Sequence, residues 1–320
     1  MITLKQLAEE SGFSIRTVRR ALANQPHVNP EKRKQILELA EKNCYVPNMA
    51  ARSLRLQQKN CIGILFEDFT QNAAVNKLNA LDAALVSRGC CPLLGRLLPG
   101  HEKECEKMLT AWAGIAEYVI VFPSPNNWSR EFLQKLEKRF PLKFIFIDSD
   151  DETLSCRVPV DRAGSVCNMV QQLDAMGFRH LLHCGSLPSR SAGIQAAQQT
   201  VRMKISTISA GPEFQDGENA GSMICSSGAD VVFFDTDRAA AGFYRYAAQH
   251  GINIPGDISV VGFDNELYDD ILTPALSSLA HPEKEIAERI LQIISGKETE
   301  NTPLKMNFIP RASLKQGNLK

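Results

Sequence analysis

The sequence predicts a small all-helical head followed by a larger α/β body. Two observations carry that reading. Three short segments with helix-capping residues follow one another within the first 42 positions, and from residue 61 onward apolar strand-like runs alternate with helix-like segments. Charge supplies a third. Residues 1–60 hold eleven Lys and Arg against five Asp and Glu, while the whole 320-residue chain balances at 36 of each. A basic head on an acidic body suits a polyanion-binding module carried by a unit that does not bind polyanions.

In the head, Thr3 followed by Gln6 makes a capping box, with Leu4, Leu7 and Ala8 on one apolar face. Gly12 suits the left-handed stop of that helix. Ser14 then caps a second helix, Ile15 to Leu22, after only a short turn, which is the spacing of a helix-turn-helix. Asn29-Pro30-Glu31 opens a third helix with a cap, a proline at the first helical position and an acid at the positive dipole end. Its expected buried side is Ile36, Leu37, Leu39 and Ala40.

Val18, Ala21 and Leu22 look inward, which leaves Ile15, Arg16, Arg19 and Arg20 outward near the start of the second helix. Arginine can take guanine O6 and N7 in a bidentate fork, and an aliphatic group can pack on a thymine methyl. The Ser14 and Thr17 hydroxyls suit phosphate oxygens, and Thr3 and Asn24 extend the same candidate DNA-contacting set. Tyr45-Val46-Pro47 imposes an extended step. Asn48 can then cap a short fourth helix in which Leu54 is flanked by Arg52 and Arg55, with Ala51 on the same segment. A helix so short is unstable alone, so it is expected to form only against DNA and a second copy. There an apolar side chain can wedge between base steps with arginine alongside.

In the body the strand-like runs are 61–66, 118–123, 144–148, 180–185, 231–235 and 258–263, and helical patterns fill Asn76–Arg88, Arg130–Arg139, Gly164–Met176 and Asp237–His250. This alternation predicts parallel sheets covered on both faces, whose ligands bind at the carboxyl ends of the strands. Asp148, Asp235 and Asp264 each follow such a run, where a polar side chain would reach a cleft. The vicinal Cys90–Cys91 pair is expected as small core residues at the start of a strand.

Function classes narrow accordingly. The nine cysteines form no CxxC or Cys/His array, so reduced thiols, a cytoplasmic location and no bound metal are expected. The amino terminus does not read as a secretory signal, and no run reaches the roughly 18 apolar residues of a membrane span. There is no strand-linked GxGxxG, no P-loop, no GxSxG and no HExxH, so neither catalytic residues nor a cofactor is expected. His180 and His183 are expected to pack in or beside a strand.

The segments TLKQLAEESGFSIRTVRRALAN and YVPNMAARSL, with GINIPGDISVVGFDN, LTPALSSLAHP and FIPRASL downstream, resemble the lactose/galactose repressor family of bacterial transcription regulators. The likeness spans nearly the whole chain. It implies that Ile15, Arg16 and Arg20 read bases and that Leu54 is the minor-groove wedge. Arg19 stands where the family has a small polar residue, which changes the operator it would read.

The resemblance also implies three parts: a DNA-binding head over 1–46, a hinge over 47–59, and an effector-binding and dimerisation body over 60–320. The body would be two Rossmann-like lobes of the periplasmic-binding-protein type, one over about 60–158 plus 283–309 and the other over about 159–282 plus 310–320. A homodimer on a near-palindromic operator is implied, with a small effector such as a sugar between the lobes. Asp148, Arg190, Phe214, Thr236 and Asp264 fall at its ligand-contacting positions. Carboxylates and a guanidinium suit hydroxyls, and an aromatic ring suits a sugar or base face. The chain departs from the family at Arg162, where Val-Asp is followed by Asn in relatives, at Thr236, and at 71–75 after the first strand. These departures leave open an unusual effector, or control by a protein partner instead of a metabolite.

Overall fold

A computed structural model of the chain describes residues 2–45, 59–67, 72–122, 128–149, 151–297 and 301–315. The chain divides into two compact units, Met1–Asn60 and Cys61–Lys320.

The first unit contains α1 (Leu4–Ser11), α2 (Ile15–Leu22) and α3 (Pro30–Lys42). The capping box forms: Thr3 Oγ1 accepts from the Gln6 N–H at 3.3 Å, and Gln6 Oε1 accepts from the Thr3 N–H at 2.9 Å. Gly12 ends α1 at φ +69°, a conformation a side chain disfavours. Ser14 Oγ caps α2 through the Thr17 N–H, and Asn29 Oδ1 caps α3 through Glu31. Leu7, Ala8, Val18, Ala21, Ile36 and Ala40 meet in one core. Leu37 does not join them. It follows Ile36 around the helix and is 45% exposed, because that side of α3 has no neighbouring helix among the described residues. Asn48, Ala51, Arg52, Leu54 and Arg55, the hinge candidates, lie outside the described residues.

The second unit has two lobes. In the first, β1 (Cys61–Phe66), β2 (Cys91–Arg96), β3 (Ala116–Phe122), β4 (Lys143–Ile147) and β5 (Arg157–Val158) form an all-parallel sheet of order β2-β1-β3-β4-β5. The pleat sorts β1: Ile62, Ile64 and Phe66 share a core with Leu81 and Leu85 of α4 (Asn72–Ser87). Leu65 faces the other way, to Leu109 and Trp112 of α5 (Glu102–Trp112) and Leu133 of α6 (Arg130–Arg139).

Next come β6 (Val160–Asp161), α7 (Arg162–Ala175), β7 (His180–Cys184), α8 (Pro188–Gln198), β8 (Lys204–Ile208), α9 (Phe214–Ser226), β9 (Val231–Phe234), α10 (Asp237–His250), β10 (Ser259–Asp264) and β11 (Ser277–Ala280). The chain finishes with α11 (Glu283–Ile294), β12 (Leu304–Lys305) and β13 (Asn307–Ile309). The second sheet runs β13-β11-β10-β9-β7-β8, parallel except for β13. Helices α7 and α8 cover one face, and α9 and α10 the other.

The backbones of α9 and α10 touch. A Cβ on Gly217 would lie 1.8 Å from the Ala239 carbonyl oxygen, and one on Gly242 1.8 Å from that of Phe214.

Three chain passages join the lobes: β5 to β6, β11 to α11, and the return through β12. Strands β6 and β12 pair with each other. Because β13 belongs to the second sheet, the last passage falls before residue 307, not at the expected 309. Cys91 opens β2 as expected but is exposed rather than core, since β2 is an edge strand. Among the described residues no helix is long and apolar enough to cross a membrane.

Candidate nucleic-acid interface and ligand cleft

On the head, α2 presents the face that was anticipated. Ile15 is 41% exposed, Arg16 and Arg19 are exposed, and Arg20 is half-buried. Ser14 and Thr17 hydroxyls are 2.9 Å apart at the start of this helix. Asn24 leaves α2 at φ +49°, and its carboxamide oxygen accepts from Arg33 Nη1 at 2.7 Å. Arg33 also reaches the Gln25 carbonyl, so this residue of α3 clamps the turn beyond α2.

In the body, charged side chains gather where the strands end. Asp148 follows β4 at φ +63°, and Asp264 closes β10 at φ +109°. Carboxylates held in such strained backbone are typical of binding sites. Asp148 Oδ2 receives Lys77 Nζ and Arg162 Nη2, both at 2.5 Å. Lys77 comes from α4 of the first lobe and Arg162 opens α7 of the second, so one carboxylate ties the two lobes. Asp264 Oδ1 pairs with His281 Nε2 at 3.0 Å, and Arg190 Nη2 stands 3.9 Å from it. The Arg190 guanidinium lies over the Phe263 ring at 3.7 Å.

Burial governs the electrostatics. It would push the Asp148 carboxyl up, but the charges of Arg162 and Lys77 overcome that and hold it well below the usual carboxylate range. Asp264 is also held down, against burial, by its hydrogen bond to His281 and by Arg190. Burial, with the Lys77 charge, drops His281 to about 4, so it is neutral near pH 7. Burial likewise lowers Arg190, partly offset by Asp264.

Other expected site residues fall elsewhere. Asp235 does not reach the cleft. It is buried and accepts from His183 Nε2 at 2.8 Å and from the Ser186 and Leu187 N–H groups at 2.7 and 2.6 Å, which fixes the turn after β7. His183 packs on Phe233, as a strand histidine should, and His180 bonds Ser206. Thr236 caps α10 through Ala239 and donates to the Pro212 carbonyl. Phe214 starts α9 with its ring 5.5 Å from the Arg245 guanidinium, in the seam between α9 and α10. Lys77 and His281 were missed. A single lysine in an ordinary helix carries no signal, and His281 gains meaning only once β11 is seen beside β10.

The periplasmic binding protein-like domain family matches residues 170–316. The probable HTH-type transcriptional repressor ExuR of Bacillus subtilis is 26% identical over 348 residues, covering 99% of each chain, so the likeness runs through head and body alike. The chain is similar along nearly its whole length to regulators of the lactose/galactose repressor type. Such proteins are DNA-binding transcription regulators and not enzymes, and this regulator has their fold. The lac repressor dimer bound to operator and the anti-inducer ONPF superposes with a TM-score of 0.77 at 19% identity, covering 98% of this chain and 99% of that one. A LacI-family regulator from Enterococcus faecium with bound ribose gives 0.66 at 21% identity, covering 80% and 99%.

Proposed function

We propose that this regulator is a cytoplasmic homodimeric repressor that grips a near-palindromic operator with one head per half-site, and that a small polyhydroxylated effector between its lobes sets its affinity. The observation that carries the effector reading is the meeting of Asp148 and Lys77 from one lobe with Arg162, Arg190 and Asp264 from the other, all half-buried or buried at strand ends. Ligand shifts such a protein only by binding one arrangement of the lobes more tightly than another. Pairing is supported by exposed apolar side chains on both lobes: Val86 and Leu94 on the first, Met223, Leu267 and Ile271 on the second. The relatives' operator and ribose complexes point the same way.

Two-fold symmetry places the half-sites about one helical turn apart. In the head, Ile15, Arg16 and Arg20 are the proposed base readers, with Ser14 and Thr17 on the backbone and Arg19 bearing on which operator is read. Selection of sites from random duplexes, with and without a metabolite library, tests the scheme. A recovered inverted repeat whose enrichment changes with one metabolite is the expected result. Arg16→Ala costs about 1–3 kcal/mol and relaxes choice at one base pair. Equal loss on every sequence would assign Arg16 to phosphate.

A second reading, control by a protein partner without a metabolite, is favoured by one observation: Arg162 already fills Asp148 across the lobes. Under it, no small molecule raises the melting temperature, whereas a true effector does so by mass action.

A further inference from the structure

The strands of the first sheet are parallel, so their amino-terminal ends lie opposite the cleft, and two of them begin on cysteine. Cys61 opens β1 and Cys91 opens β2, and the two are in-register neighbours. Residues so paired point to the same side of the sheet, on strands about 4.8 Å apart. That separation falls inside the window of about 4.4–6.8 Å between Cα atoms that a disulfide spans.

The pleat separates this pair from a third thiol. Cys61 packs with Leu65 and Leu93 on the side of the sheet that α5 and α6 cover. Cys90 packs against the core on the other side, where α4 lies. The vicinal thiols of Cys90 and Cys91 therefore point apart, while the cross-strand thiols of Cys61 and Cys91 point together. The Cys61 and Cys91 side chains are already hydrogen-bond partners.

Access and reactivity divide the roles. Cys91 is exposed on the edge strand, and Cys61 is half-buried beside it. Burial first, then the Cys91 charge and hydrogen bond, push the Cys61 thiol up. A thiol raised in this way is the stronger nucleophile once ionised, which suits the sulfur that closes a bond. The pairing of β1 with β3 shifts between Cys61 and Ile62, so the end of β1 can take up the small rotation that bond formation needs. Neither the DNA-contacting set nor the cleft uses these thiols.

We propose that Cys61 and Cys91 are a modification site, a thiol pair that closes to a disulfide by exchange with a low-molecular-weight disulfide such as oxidised glutathione. The Cys91 thiolate attacks one glutathione sulfur, which breaks the glutathione S–S bond and releases one glutathione thiolate to take up the Cys91 proton. The Cys61 sulfur, losing its own proton, then attacks Cys91 Sγ of the mixed disulfide and displaces the second glutathione as its thiol. Two protein thiols are oxidised and one disulfide is reduced to two thiols. In a reducing compartment such a bond reports on the thiol pool and is not a permanent staple. Cys61 is the first residue of the body, so the bond fastens the point where the chain arrives from the head to the edge strand.

The test uses the full-length protein, reduced, then equilibrated with oxidised glutathione, alkylated with iodoacetamide and digested with trypsin without reduction. The expected product joins peptide 60–77 to peptide 89–96 with loss of two hydrogens, no retained glutathione and the alkyl mark on Cys90; dithiothreitol reverses it. Cys90→Ser leaves the link in place. Cys61→Ser leaves glutathione on Cys91, and Cys91→Ser, at an exposed position, abolishes the link without touching the core. Melting curves of the reduced variants confirm that each is folded. A link between Cys90 and Cys91, a link between two chains, or glutathione retained on Cys91 of the unaltered protein would each overturn the assignment, as would a full set of alkylated thiols.

Discussion

Asp148→Asn tests whether the lobe junction is dry. The substitution keeps the shape and removes the charge that Lys77, 6% exposed, and Arg162, 18% exposed, share. Removing one partner of a buried ion pair costs about 3–5 kcal/mol, because the survivor's desolvation is no longer compensated. That is a large share of the roughly 5–15 kcal/mol that holds a domain together. Pairing Asp148→Asn with Lys77→Met removes one stranded cation, so the double variant recovers a coupling of about 1–3 kcal/mol.

Urea unfolding followed by tryptophan fluorescence reads the effect directly, since Trp112 and Trp128 are both buried in the first lobe. There is also an acid signature. The Asp148 carboxyl is lowered in the fold, so its stabilisation is fully present above its unfolded pKa of about 3.9 and is lost as pH falls below that value. Asp148→Asn therefore costs most near neutrality and least in acid. A cost below about 1 kcal/mol at pH 7 would refute the reasoning and mean that water screens the pair as it does at a surface.

Three further outcomes are expected. Gly242→Ala puts a methyl into the Phe214 carbonyl, so it separates α9 from α10 and lowers the melting temperature of the second lobe, while Gly228→Ala, at an open turn, acts only through its backbone φ of +70° and costs less; calorimetry compares them. Asp237 and Asp269 lie buried together: burial and the Asp269 charge raise Asp237, and burial, with the Glu266 charge, raises Asp269 to about 7. The native state thus keeps a proton that the unfolded chain has released, and stability falls as pH rises from about 4 to 7; Asp269→Asn flattens that slope in denaturation at a series of pH values. Finally, burial lifts the thiols of Cys105 to about 11 and Cys184 to about 12, so thiol titration labels exposed Cys44 and Cys91 first and reaches those two only on unfolding.

Much of the fold was legible because it is written in local chemistry. Thr3, Ser14 and Asn29 state their caps in the residue itself, and the bounds of α6 and α10 follow from period and capping alone. Strand β11 was not legible: Ser277-Ser278-Leu279-Ala280 lacks the branched apolar run of a strand. It is buried because Ser277 and Ser278 hydrogen-bond Ser313 and Asp237, distant partners that no local window contains. Helix α9 was hidden similarly, since its glycines lower helix propensity locally and make sense only against α10. In the cleft, Asp148, Arg190 and Asp264 were found by position and resemblance. Thr236 and Phe214 went to capping and packing. The link from Arg162 to Asp148 needed the fold, although the departure at Arg162 had already marked the place.

The passages between the lobes constrain how the body can move. Two of them, β6 and β12, are zipped by main-chain hydrogen bonds at Val160–Leu304 and Asp161–Lys305, and the third runs through Pro282, whose ring locks its φ. Three tethers, two of them paired, disfavour sliding and twisting between the lobes and favour opening. A molecule wedged in the mouth therefore does work along one coordinate, so even a modest ligand can set the gape of the whole shell.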